Sequence, residues 1–268
     1  MFIPVTHPAH PTHPTGDHRM LPGFPPTYEA LLDRVTTDPA VVGLVLKGSH
    51  AHDGMATERS DHDVYVVLDD GADSDLARLH GHRSAELDVV VVTFGAFREL
   101  GGYERYALAR AHVVLDRLDG RIAEVVSAQA RLDADAAFQE AAGLLDAYAN
   151  SVYRSVKNAR DGHRLAALLD AADSVRFLLD LLFTLHRRPR PYNKYLEWEL
   201  ERFPLPGWET KPLLDTVARI TAAGHTDEQR RLFGQVEAAA REAGHGPVLD
   251  AWGEDLRLMR PGPTAGTR

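Results

Sequence analysis

Two hydrophobic periods divide the chain. Up to about residue 131, short apolar runs alternate with turns; from Ala134 onward, apolar residues recur every three or four positions over long stretches. The early runs lie at 41–46, 64–68, about 85–93 and 111–116. Their β-branched residues and flanking Gly, Asp and Ser predict four strands. A helix is expected from Thr27, its N-cap, with Ala30, Leu31, Leu32 and Val35 on one face and Asp38-Pro39 as its stop. Further short helices are expected at 73–80, 94–100, 103–109 (after a Gly101-Gly102 break) and 121–131.

The later period predicts helices at about 134–161, 164–187, 213–223, 227–243 and 247–258. In the first, Ala141, Leu144, Leu145, Tyr148, Val152, Val156 and Ala159 make the apolar face, while Ser151, Arg154 and Asn158 form a polar stripe facing a cleft or solvent. The second is apolar over most of its circumference and is expected at the centre of a bundle. Its Asp173, Arg176 and Asp180 predict an internal ion-pair ladder. A basic, proline-containing segment, 187–196, turns into a further helix. The expected class is α+β, a small mixed-sheet domain at 27–131 followed by an all-α helical-bundle domain at 132–260. Residues 1–26, with seven prolines and four histidines, read as a flexible leader, and 261–268 as a tail. His7, His10, His13 and His18 could bind a metal, but nothing in the leader fixes their geometry.

Composition narrows the function. A net charge of −9 disfavours a broad nucleic-acid surface, and the absence of cysteine excludes disulfides, thiolate metal sites and thiol nucleophiles. The longest apolar stretch, 178–183, is short and interrupted by Asp180, so no membrane span is expected. With no signal-peptide pattern at the N-terminus, the expected location is cytoplasmic. No oligomeric state follows from the sequence.

The chemistry gathers in 41–68. Gly48-Ser49 ends the first strand with a turn whose N–H groups and hydroxyl suit phosphate oxygens. Ser60-Asp61-His62-Asp63 then leads into the second strand. Side chains two apart on a strand share a side, so Asp61 and Asp63 are expected to project together, with His62 facing away. Adjacent carboxylates repel unless a cation lies between them, and oxygen donors suit Mg²⁺.

The order Gly48-Ser49, then Ser60-Asp61-His62-Asp63, then Asp88 in a later strand resembles the nucleotidyltransferase signature of the DNA polymerase β-like fold. The local sequence GSHAHDG is similar to the turn of small bacterial enzymes that adenylylate antibiotics such as aminoglycosides and lincosamides. The resemblance is specific over 43–92 and loose over the rest of 27–200. It implies Asp61, Asp63 and Asp88 as ligands of two Mg²⁺ ions, Asp88 also accepting a hydroxyl proton, with Glu86 a weaker candidate on the same side of its strand. It implies Gly48, Ser49 and Ser60 at the nucleotide. Lys194, within Arg190-Pro191-Tyr192-Asn193-Lys194-Tyr195, matches a lysine that reaches nucleotide phosphates in some members. His52 stands where relatives often have arginine.

The resulting expectation is an enzyme moving AMP from ATP to a hydroxyl of a small, aminoglycoside-like molecule, since an acidic protein attracts a polycation. Two alternatives share these residues: AMPylation of a protein partner, as in antitoxin-type nucleotidyltransferases, and a non-catalytic nucleotide-binding module.

Overall fold

The computed structural model describes residues 27–262; the leader 1–26, with its four histidines, and residues 263–268 of the tail lie outside them. Thr27 caps the first helix, α1 (Tyr28–Thr37), its hydroxyl accepting from the Ala30 N–H. The strands are β1 (Val41–Lys47), β2 (His62–Leu68), β3 (His82–Arg83), β4 (Leu87–Thr93) and β5 (His112–Asp116). Among them lie α2 (Phe94–Arg98) and α3 (Arg105–Ala109), and α4 (Arg121–Gln129) follows β5. Then come α5 (Ala134–Arg160), α6 (Arg164–Leu185), α7 (Leu196–Arg202), α8 (Thr210–Ala223), α9 (Thr226–Glu242), α10 (Gly246–Asp250) and α11 (Leu256–Met259). The protein is α+β, with one mixed sheet and a carboxy-terminal part built of helices.

The sheet order is β3-β4-β2-β1-β5; β2 and β4 run parallel and the other neighbours antiparallel. The parallel pair exists because 69–86 carries the chain from the end of β2 back to the sheet edge where β2 began. Apolar side chains cover both faces. Leu44, Val64, Val66, Val89 and Val91 pack with Leu31 and Val35 of α1, while Val45, Tyr65 and Val67 pack with Phe94, Phe97, Leu108 and Ile122 from the other side. A separate apolar core joins α5, α6, α8, α9 and the last two helices, centred on Tyr148, Phe183 and Phe233.

The structure departs from the sequence expectation at several places. β3 was not expected, being two residues with no periodicity to betray it. The 73–80 helix is a short 3₁₀ turn at Asp75–Leu79. The expected 247–258 helix is broken, with Gly253 in the left-handed region at φ +53° between α10 and α11. The ion-pair ladder on α6 does not form as expected. Asp173 and Arg176 are exposed, Arg176 stands 4.0 Å from Asp180, and Arg190 takes Asp180 at 3.1 Å. The polar stripe on α5 is neither cleft nor simple solvent face. Arg154 and Asn158 both bind Asp170 of α6, at 3.2 and 2.8 Å, and Ser151 is buried.

The sheet and the helices meet along a polar seam. Glu199 of α7, 1 % exposed, accepts two bonds from Arg110 at 2.8 and 2.6 Å and another from Arg188. Burial pushes this carboxyl upward, but the two guanidiniums outweigh it and hold it below its ordinary range. His52 is the second tie. Its Nδ1 donates to the Gly48 carbonyl at 2.7 Å, and its Nε2 stands in hydrogen-bond contact with the Tyr106 hydroxyl at 3.0 Å. The same ring stacks on Tyr195 at 3.9 Å, and burial keeps its pKa low. Trp198 and Arg202 of α7 reach the Asp53 carbonyl at 2.9 and 3.3 Å.

Removing Glu199 strands two half-buried cations at a buried seam, so Glu199→Ala is expected to lower unfolding stability by about 3 kcal/mol. A carboxyl with a depressed folded-state pKa contributes fully above its ordinary value of 4.5 and loses that contribution as pH falls through the depressed value. Urea titrations should therefore show the gap between wild type and Glu199→Gln narrowing as pH drops below about 4.5. A gap independent of pH would show that the seam does not draw on this charge.

Candidate active site

A row of charge crosses four strands. In register, Lys47 of β1 lies opposite Asp63 of β2, Asp63 opposite Asp88 of β4, and Asp88 opposite Arg83 of β3. Cross-strand partners share a face, so the row runs cation, carboxylate, carboxylate, cation along one side of the sheet. It stands at the end where β1 finishes and β2 and β4 begin. There Gly48–Ala51 winds into a single 3₁₀ turn.

Gly48 shows how tightly this end is packed. Its φ is +68°, and a Cβ built there would lie 2.0 Å from Asp63 Oδ2. Only glycine lets the turn lie against the carboxylate. Asp63 is half-buried. Burial raises its pKa, Lys47 lowers it, and Asp61, Asp88 and Glu104 raise it again, leaving the carboxyl above its ordinary range. Three acidic side chains thus act on Asp63 at this point, an electrostatic condition that a divalent cation relieves.

The remaining expected residues are distributed as follows. Asp61 lies in the loop just before β2, beside Asp63 rather than on the strand. Asp88 gives one oxygen to Arg83 Nε at 3.0 Å. Ser49 is buried next to the Tyr195 hydroxyl. Ser60 accepts the Thr57 N–H at 2.9 Å and its carbonyl meets His50 Nε2 at 3.3 Å, so it braces the loop onto the turn. Lys194 is exposed, with Nζ 5.3 Å above the Tyr195 ring. Glu86 is exposed, ahead of β4. His62 stacks between Tyr28 and His50 at 4.3 and 3.9 Å, a packing role. His52, tied to Gly48, Tyr106 and Tyr195, has both ring nitrogens engaged and offers none to a phosphate.

The oxygen donors suit Mg²⁺ in kind, and the Gly48 cradle holds Asp63 in place for one. They do not form a closed cage, however. Among the described residues no three His, Asp or Glu side chains stand close enough to share an ion. Arg83 also holds an oxygen of Asp88, so a cation shared by Asp63 and Asp88 must displace that guanidinium.

Four further residues belong to the site. Lys47 faces Asp63 across the ladder and pairs with Glu104 at 3.5 Å, and Glu104 also accepts from the Tyr65 hydroxyl at 3.0 Å. Tyr192 and Tyr195 approach from the helical part. Burial raises both phenols, with the charge of Asp63 adding to each. Lys47 was legible as the strand residue before the glycine; Glu104 sits in a Gly102–Glu104 turn with no local signal. A hollow of about 720 Å³ between α6, α8 and α9 holds none of these groups. No family model matches the chain, and no curated protein matches it.

Gly54 provides a control for Gly48, having φ +79° but nothing within 4 Å of an added Cβ. Both alanine variants carry the left-handed penalty of about 1–3 kcal/mol. Gly48→Ala is expected to lose about 1 kcal/mol or more beyond Gly54→Ala, because it alone overpacks Asp63. Equal losses in chemical denaturation would contradict the close approach.

Proposed function

We propose that the protein is a Mg²⁺-dependent nucleotidyltransferase that moves AMP from ATP to a hydroxyl of a small molecule, releasing pyrophosphate. The observation that carries this reading is the Asp63–Asp88 pair on parallel neighbours, with the Gly48-Ser49 turn pressed against Asp63. The resemblance of these motifs to the nucleotidyltransferase signature supports it. So does the proximity of Tyr192 and Tyr195, which suits a substrate held between the sheet and the helical part.

In this reading Asp61 and Asp63 would hold the metal, and Asp88 would stand beside them, its Arg83 contact displaced. Bound Mg²⁺ supplies neutralisation of phosphate charge and alignment of the attacking and leaving oxygens. The chain's own residues do the rest. The N–H groups of the Gly48-Ser49 turn hold the terminal phosphates. Lys47 offsets the carboxylate charge beside Asp63, and Lys194, its Nζ 5.3 Å above the Tyr195 ring, is assigned to the nucleotide phosphates. The acceptor oxygen bonds to the α-phosphorus as the Pα–O–Pβ bridge breaks. Pyrophosphate leaves with the bonding pair, and Asp88 takes the hydroxyl proton.

Incubation with labelled ATP, Mg²⁺ and a library of hydroxyl compounds, read by mass spectrometry, should give an AMP-sized mass increase and pyrophosphate. Asp63→Asn and chelation by EDTA are each expected to cut transfer by about a thousandfold, the scale of several kcal/mol of lost charge stabilisation. Transfer that survives both would overturn the reading.

A further inference from the structure

A cavity of about 700 Å³ is lined by Tyr192, whose phenol also feels the charge of Asp63. The geometric link is short. Tyr192 donates to the Tyr103 carbonyl at 3.0 Å; the next residue, Glu104, pairs with Lys47, which lies opposite Asp63. These contacts tie the cavity wall to the strand that carries Asp63.

The charged residues of its lining are Arg105, Arg176, Arg188 and Arg190 against Glu140 and Asp180. In a chain of net charge −9 this is a local reversal of sign. Not every arginine is available. Arg188 is committed to Glu199, and Asp180 is held by Arg190. Two retain unused capacity. Arg105 donates to the Arg131 carbonyl at 3.3 Å and has no carboxylate partner among the described residues. Arg190 holds Asp180 and Asn193 through its terminal nitrogens, at 3.1 and 2.7 Å, and each of these nitrogens carries a second N–H. A guanidinium matches the planar oxygens of a carboxylate or phosphate. At the mouth Tyr103, 77 % exposed, stacks on Tyr192 at 5.0 Å and offers its free face to a ring.

We propose that this cavity is the acceptor subsite and that the acceptor is an anionic hydroxyl compound, its carboxylate or phosphate held by Arg105 and Arg190. The inference rests on the nucleotidyl-transfer reading and replaces the polycationic acceptor that the overall acidity suggested. Ammonium groups would meet like charge here, whereas an anion completes the donor set. The transfer balances as before: the acceptor's hydroxyl oxygen gains the AMP phosphorus, pyrophosphate departs, and the hydroxyl proton passes to Asp88.

The test uses the full chain with ATP and Mg²⁺ against four matched sets: sugar phosphates, hydroxycarboxylates, neutral sugars and amino sugars. AMP adducts confined to the first two sets are expected, and which of the two reacts separates phosphate from carboxylate. Arg190→Gln and Arg105→Gln should each raise the acceptor KM tenfold or more while leaving the KM for ATP within twofold. Arg190→Lys, which keeps the charge, should recover part of the loss and so exclude simple misfolding. Adducts on amino sugars, or an acceptor KM indifferent to both glutamine variants, would overturn the anionic subsite. So would an absence of adducts in all four sets from protein that binds ATP with Mg²⁺ by calorimetry. Failure to bind ATP would instead remove the nucleotidyl-transfer reading beneath it.

Discussion

The proposed site depends on holding two carboxylates side by side on adjacent parallel strands. Asp63 and Asp88 are register partners, and their repulsion is contained by Lys47 on one flank and Arg83 on the other. Backbone hydrogen bonds of the β2–β4 ladder enforce the approach, so the electrostatic cost is borne by the sheet as a whole rather than by a flexible loop. Gly48 closes the fourth side. A turn residue with any side chain would push Asp63 away.

The helical part is joined to this cluster by buried polar contacts more than by apolar ones. Glu199 gathers Arg110 from the sheet side and Arg188 from its own side, and His52 links the Gly48 carbonyl to Tyr106 and Tyr195. Such contacts are directional. They fix how Tyr192 and Tyr195 face Asp63, where an apolar interface of similar size would tolerate sliding. The same directionality shapes the neighbouring cavity, because Arg188 and Arg190 belong to the segment that carries Tyr192.

Much of the site was legible in the chain. The Gly48-Ser49 turn, the Asp61 and Asp63 spacing and the strand around Asp88 each announce themselves through local pattern, since strand alternation decides which side a residue takes. The motif marks Lys194, while its neighbours Tyr192 and Tyr195, which feel the charge of Asp63, carry no local signal of that role. Glu104 had no local mark. Its place follows from how a five-residue helix packs beside β2, which is settled by tertiary contact alone.

The sequence by itself determined the class of the protein, its strands and long helices, and the candidates among its carboxylates, because periodicity and turn chemistry act over a few residues. Tertiary structure alone decided the company those residues keep. Arg83 on Asp88, His52 turned from phosphate to scaffold, Asp180 taken by Arg190, and arginines gathered in an acidic chain all join residues from separate elements. Such pairings depend on strand register and on the seam between sheet and helices, which no short window of sequence contains.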